Sequence, residues 1–129
     1  MSPALCLAVA GQLLATLPVA EFTLTWTHSV QKTLWHEHYR IDGRRLVLDE
    51  AQVQGSGAGM EPAADAVWRD GAWHWRPALA PLAELRLTVS SFTADYRLCT
   101  AAGCTSLQAL TGTPADGSVV VATACTAPP

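Results

Sequence analysis

Few residues of this chain carry a charge. Only 15% of its 129 residues are Asp, Glu, Lys or Arg, the formal net charge is −3, and half of the residues are hydrophobic. A chain of this length and hydrophobicity folds as one domain with its own core, and it is too apolar to be mainly disordered. Arg44 and Arg45 are its densest basic spot, so the sequence lacks the basic face expected of a nucleic-acid-binding protein.

The chain also lacks a long, uninterrupted apolar segment. Residues 4–20 are mostly apolar, but Gly11 and Pro18 interrupt them, and the stretch is shorter than the roughly 20 residues that span a bilayer. No basic residues precede it, as they do in a signal peptide. We therefore predict no transmembrane segment and two strands, over residues 5–9 and 13–17. The alternative is a weak signal sequence at the start of the chain.

Helical periodicity is missing as well, and almost every periodic stretch alternates with a period of two. Asp-Gly pairs such as Asp42-Gly43, together with other turn signals, separate these stretches every 8–12 residues. This spacing predicts an all-β, single-domain antiparallel barrel or sandwich of about ten short strands over residues 1–129. After a first hairpin, the predicted strands and hairpins cover residues 45–53, 67–75, 84–90, 96–99, 105–110 and 119–123.

That first hairpin, over residues 22–41, carries two polar residues on its apolar face. Alternation places His28 with the large apolar residues of the first strand and Glu37 with those of the second. A tight turn centred on Lys32 and Thr33 would place His28 directly opposite Glu37. This arrangement allows two interpretations. His28 and Glu37 form either a proton-transfer or ligand-binding pair, or a buried structural pair that fixes the strand register.

A third polar residue extends this cluster. Glu50 shares a face with Leu46 and Leu48, and a turn centred on Gly43 and Arg44 would place it opposite Glu37. The sequence therefore predicts that the two carboxylates lie on one face.

A serine hydrolase is disfavoured on geometry. His28 and Ser29 are adjacent on a strand, so their side chains point to opposite faces. Ser56 lies in a glycine-rich segment, GSGAG, without the strand, sharp turn and helix of a nucleophile elbow. That segment is either a loop that turns sharply or a backbone cradle for an anion. Its candidate binding residues are Gly55, Ser56, Gly57 and Gly59.

Two other clusters favour structural roles. His36 and His38 share a strand face, but no third ligand is evident, so a solvated face is favoured and no metal or cofactor is predicted. Trp68, Trp73 and Trp75 are either a stacking surface or part of the core, and a turn at Asp70-Gly71 pairs Trp68 with Trp73.

Four cysteines complete the inventory. Cys99 and Cys104 flank a short turn between alternating stretches, which favours a hairpin closed by a disulfide. Cys6 and Cys125 pair only if the terminal strands are neighbours, which the sequence leaves open. Oxidised cysteines favour the periplasm or the cell exterior, whereas buried thiols would suit the cytosol.

Three segments resemble a bacterial family, domain-of-unknown-function family eighteen-fifty: WTHSVQKTLWHEHYRI, LVLDEAQVQGSGAGMEP and LRLTVSSF with the two cysteines that follow it. The likeness covers about residues 22–104, and the chain departs from the family pattern at His36 and His38, where acidic residues are usual. The matching positions are Trp26, His28, Ser29, Val30, Lys32, Trp35, Glu37, Tyr39, Glu50 and residues 55–62.

Genes of this family often lie beside those of TAXI-type tripartite (TRAP) transporters, which take up small organic anions. The resemblance implies an accessory role, and the family has no established catalytic activity that could be transferred to this chain. The expected function is therefore an accessory or small-anion-binding module, with a TAXI-type component or an organic anion as partner. Its candidate site combines His28, Lys32, Glu37 and Glu50 with the glycine-rich loop. The alternatives are an enzyme that uses the His28–Glu37 pair and a purely structural β-module.

Overall fold

The computed structural model describes residues 2–27, 33–54 and 64–128. Within these ranges the chain forms eleven strands and one short helix, and no helix is long and apolar enough to cross a membrane. The elements are β1 (Ser2–Val9), β2 (Gln12–Leu17), β3 (Glu21–Thr27), β4 (Leu34–Asp42), β5 (Arg45–Gln54), β6 (Val67–Arg69), β7 (Ala72–Trp75), β8 (Leu85–Thr88), β9 (Arg97–Thr100), β10 (Gly103–Ser106), α1 (Leu107–Thr111) and β11 (Val119–Ala127).

The strands form two antiparallel sheets. The smaller has the order β2-β1-β11-β8, and the larger has the order β10-β9-β3-β4-β5-β7-β6. The described residues therefore form a sandwich and not one closed barrel, which confirms the all-β prediction and selects between its two forms. Alternating apolar residues of the two sheets meet in one core. Its buried members are Leu5, Leu7, Phe22, Leu24, Tyr39, Leu46, Leu87, Val89, Leu98, Leu107, Val120 and Ala122.

The first two strands confirm the hairpin predicted near the N-terminus. β1 pairs with β2 on one side and with β11 on the other. The turn between them places Ala10 and Gly11 at positive φ, a conformation that glycine adopts without strain. Because β1 and β11 are neighbours, Cys6 and Cys125 are close enough to form a disulfide, the pairing that the sequence left open.

The prediction of a strand over residues 105–110 is wrong for the second half of that stretch. The strand ends at Ser106, and α1 follows it. Ser106 caps the helix by accepting a hydrogen bond from the Ala109 N–H at 3.1 Å, and Gly112 ends it in the left-handed conformation. Leu107 and Thr111, one helical turn apart, are buried. The capping residues thus outweigh the weak alternation of this stretch.

Candidate functional site

The register of the first hairpin differs from the predicted one. β3 and β4 pair with Leu24 opposite Glu37 and Trp26 opposite Trp35. The predicted register, in which Glu37 faces His28 and Trp26 faces Tyr39, is therefore wrong: Leu24, four residues before His28, lies opposite Glu37. The described pairs do not fit a tight turn centred on Lys32 and Thr33. His28 itself lies outside the described residues.

Glu37 is an acceptor for side chains of its own sheet face. The Trp26 indole N–H donates a hydrogen bond to its carboxylate at 3.0 Å, and the Tyr39 hydroxyl forms a second hydrogen bond to it. Burial raises the pKa of Tyr39 well above its usual value, and the neighbouring negative charge of Glu37 adds to the rise. The pKa of Tyr96 is also raised by burial and then by Glu37. The carboxylate therefore anchors aromatic side chains in the sheet.

All five tryptophans of the chain lie on this inner face, in two adjacent rows across the larger sheet. Trp26 stacks on Trp35 with ring centroids 5.4 Å apart, and Trp35 meets the edge of Trp75 at 5.8 Å. The predicted Trp68–Trp73 pair is confirmed, with the rings in T-shaped contact at 5.2 Å. Trp68 is half exposed at the sheet edge.

A β-bulge separates the two carboxylates that the sequence placed on one face. Tyr39 lies opposite Leu48, but His38 lies opposite Glu50, so Asp49 is an extra residue in β5. The extra residue reverses the alternation, which brings Ala51 to the inner face opposite Glu37 and turns Glu50 to the outer face. The prediction that Glu50 lies opposite Glu37 is therefore wrong.

On the outer face, Glu50 binds His74 of the neighbouring strand β7. Nδ1 of His74 lies 2.9 Å from the Glu50 carboxylate, and its Nε2 lies 3.1 Å from the backbone carbonyl oxygen of Arg69. Both of these partners are acceptors, whereas the Arg69 guanidinium, a donor, lies 3.3 Å from Nδ1. The Arg69 guanidinium completes the cluster 3.8 Å from the same carboxylate.

These residues line an open cavity of about 330 Å³. Val67, opposite His74 on the outer face, provides an apolar side chain, and Trp75, whose ring lies on the inner face, also borders the cavity. The charged and titratable residues that line it are Glu50, Asp65, Arg69, His74 and Arg76. None of the ion pairs between described residues involves the exposed Arg76. The cavity thus combines a Glu50–His74–Arg69 cluster with an exposed arginine that has no ion pair within the described part of the chain.

The two histidines of β4 lie on the same outer face. Nδ1 of His36 lies 3.1 Å from the Thr25 hydroxyl, and Nδ1 of His38 lies 3.1 Å from the Thr23 hydroxyl. Burial lowers the pKa of His36, which favours the neutral ring. Across the three described ranges, no group of three or more His, Cys, Asp or Glu residues is arranged to hold a metal ion.

The predicted site residues are thus divided. Glu37 and Glu50 lie on opposite faces of the larger sheet. Six others lie outside the described residues: His28, Lys32, Gly55, Ser56, Gly57 and Gly59. Cys99 and Cys104 lie directly opposite each other in the β9–β10 hairpin and form the predicted disulfide.

Sequence reasoning missed His74, Arg69 and Arg76 as site residues. The available signal was the alternation in the Trp73–Trp75 segment, which places His74 on the face opposite the two tryptophans. The sequence contained no comparable signal for the pairing of His74 with Glu50, because that contact depends on the bulge in β5.

The larger sheet and its site define a β-sandwich with an aromatic inner face and a charged cavity outside. The family model "Domain of unknown function (DUF1850)" matches residues 22–107, two thirds of the chain. The chain belongs to this family. The match spans all seven strands of the larger sheet and β8, whereas β1, β2 and β11 lie outside it. Searches of curated proteins and of solved structures found no significant match.

Proposed function

We propose that this chain is a non-enzymatic accessory module that binds a small organic anion for a TAXI-type tripartite transporter. The observation that carries the proposal is the cavity between β5, β6 and β7, with Arg76 at its rim and outside every ion pair between described residues. Arginine presents a planar fork of N–H donors that matches a carboxylate, so it suits the recognition of organic acids. The transporter link follows from the family resemblance described above.

The size of the cavity supports a small ligand. Its volume of about 330 Å³ lies at the lower end of the range of small-molecule sites. Val67, which lies opposite His74 on the outer face, offers an apolar surface for the carbon chain of an organic acid. The ligand class is therefore a short mono- or dicarboxylate.

The arginines of the cavity support an anion. Arg69 and His74 contact Glu50 at close range. Arg76 is in no ion pair between the described residues, so its guanidinium is the group that we assign to the ligand.

The non-enzymatic part of the proposal is supported by the environment of Glu37. In the enzyme alternative this carboxylate is half of a proton-transfer pair. Among the described residues, it accepts hydrogen bonds from Trp26 and Tyr39 within the aromatic inner face. A carboxylate bound in this way has a structural role. Such a role corresponds to the alternative in which a buried polar residue fixes the strand register.

Isothermal titration calorimetry with a series of short carboxylates, such as succinate, tests the ligand. We expect saturable binding by the wild type and at least about a ten-fold loss of affinity for Arg76→Gln, because a charged hydrogen bond is removed. Arg97→Gln, a change at an exposed arginine on β9, is the matched control and should bind like the wild type. Absence of binding, or equal affinities for the three proteins, would refute the anion site.

Uptake measurements test the link to transport. Cells that carry a TAXI-type transporter are compared with and without this protein, using as substrate the carboxylate that binds in calorimetry. We expect slower uptake without the protein, recovery with the wild type and no recovery with Arg76→Gln. Unchanged uptake after loss of the protein would contradict the accessory role and leave the binding result intact.

A further inference from the structure

We propose that the Cys99–Cys104 disulfide is a thiol–disulfide exchange site, which accepts two electrons from an external dithiol while the rest of the fold stays intact. The inference is independent of the anion cavity. It depends on where this bond lies, on what holds the strands around it and on how it differs from the second disulfide.

The bond is accessible. Cys104 is exposed and lies on β10, the outermost strand of the larger sheet. Cys99 is half-buried and lines a surface groove of about 160 Å³, together with Thr23 and His38. Exchange requires in-line approach of a thiolate to one sulfur, so an exposed sulfur at a sheet edge is the favourable target.

The strands around the bond are held by other contacts. Cys99 lies opposite Thr23 in the pairing of β9 with β3. Beyond β10, the Leu107 N–H donates to the Tyr96 carbonyl oxygen at 2.9 Å, and the Gln108 N–H donates to the Asp95 carboxylate at 2.7 Å. Opening the disulfide therefore leaves both ends of the hairpin attached to the sheet and to α1.

The second disulfide has the opposite properties. Cys6 and Cys125 are both half-buried, and they join strands that are 119 residues apart in sequence, whereas the cysteines of the hairpin are separated by 5. Because the entropy lost by the unfolded chain grows with loop length, the Cys6–Cys125 bond stabilises the fold more and is harder to reduce. The chain thus contains one structural and one exchangeable disulfide.

The exchange is balanced as two substitutions. A thiolate of the external dithiol attacks Sγ of Cys104, forms a mixed disulfide and releases the Cys99 thiolate, which takes up a proton. The second thiolate of the reductant then attacks the reductant's other sulfur, the one bonded to Cys104 in the mixed disulfide. This step releases the Cys104 thiolate, which is protonated in turn. The protein disulfide and the dithiol become a protein dithiol and a cyclic disulfide.

Equilibration of the whole chain in mixtures of reduced and oxidised dithiothreitol tests this proposal. Thiols are alkylated, each cysteine pair is quantified by mass spectrometry, and the near-ultraviolet circular dichroism spectrum is recorded on the same samples. Each bond is half-reduced at a particular ratio of reduced to oxidised reagent. We expect this ratio to be lower for Cys99–Cys104 than for Cys6–Cys125, by a factor of about ten or more. The native spectrum should persist while only the hairpin bond is open.

A Cys99→Ser/Cys104→Ser variant provides the second measurement. It should retain the native near-ultraviolet spectrum, and all of its reducible disulfide should titrate at the higher ratio. Reduction of both bonds at the same ratio, or loss of the native spectrum when the hairpin bond opens or is removed by mutation, would overturn the proposal.

Discussion

The indole N–H of Trp26 donates a hydrogen bond to the Glu37 carboxylate at 3.0 Å. The two residues are diagonal neighbours across β3 and β4, because Glu37 lies opposite Leu24. The contact therefore links a carboxylate on the inner face of β4 to an indole on β3. Tyr39 provides the second donor to the same group.

Replacement of Glu37 tests this structural role. Glu37→Ala removes the acceptor that Trp26 and Tyr39 share, and we expect the free energy of unfolding to fall by about 2–3 kcal/mol. Glu84→Ala, which removes an exposed carboxylate paired with Arg86, should change it by less than about 0.5 kcal/mol. Urea denaturation of the three proteins measures both values. Equal, small losses would contradict the role of Glu37 as an anchor.

Alkaline unfolding tests the environment of Tyr39. Burial raises its pKa above the ordinary value of 10.0, so the folded state keeps the phenol proton at pH values where the unfolded chain releases it. The contribution of Tyr39 to the free energy of unfolding is fully present below about pH 10. It is lost as the pH rises further, by up to about 1.4 kcal/mol per pH unit.

Tyr39→Phe removes the phenol, so neither the folded nor the unfolded variant releases a proton at this position. Its unfolding free energy should therefore fall less steeply than that of the wild type in urea titrations between about pH 10 and pH 11. The raised pKa of Tyr96 leaves some slope in the variant. Identical slopes for the two proteins would show that Tyr39 titrates normally.

Deletion of single residues in β5 tests the bulge. Asp49 is the extra residue, so its deletion should leave Ala51 and Val53 on the inner face and cost only its exposed ion pair with Arg40, about 1 kcal/mol or less. Deletion of Gln52 should turn Val53 to the solvent and cost several times more. Circular dichroism and urea denaturation compare the two. Similar losses for both deletions would contradict the bulge.

The fold was largely predictable because its signals are local. Alternation identified the inward residues of most strands, and Asp-Gly turns such as Asp70-Gly71 marked the hairpins and gave the Trp68–Trp73 pair. The close spacing of Cys99 and Cys104 gave their disulfide. These features depend on neighbours within about ten residues, which the sequence displays directly.

The candidate site depended on non-local details. Alternation does not reveal where the chain reverses between β3 and β4, and a register shift of four residues brings Leu24, and not His28, opposite Glu37. The bulge at Asp49 then separated Glu50 from Glu37, because one extra residue reverses a strand's faces. The Glu50–His74 contact joins strands that no local pattern aligns.

Removal of each disulfide tests their unequal contributions to stability. The chain-entropy model gives about 5 kcal/mol for the Cys6–Cys125 bond and about 2 kcal/mol for Cys99–Cys104, since the closed loops differ greatly in length. Paired Cys→Ser variants in urea denaturation should follow this order. A larger loss for the hairpin pair would contradict the account of one structural and one exchangeable bond.

Chemical-shift mapping during a titration with succinate tests the central claim, that the cavity binds a carboxylate. In spectra of the backbone amides, we expect saturable shifts at Val67, Arg69, His74 and Arg76, and in Arg76→Gln these shifts should need at least about ten-fold more succinate. Saturable shifts confined to Lys32 and residues 55–59 would place the anion at the loop that the sequence first indicated. Either that result or the absence of saturable shifts would contradict the cavity as the binding site.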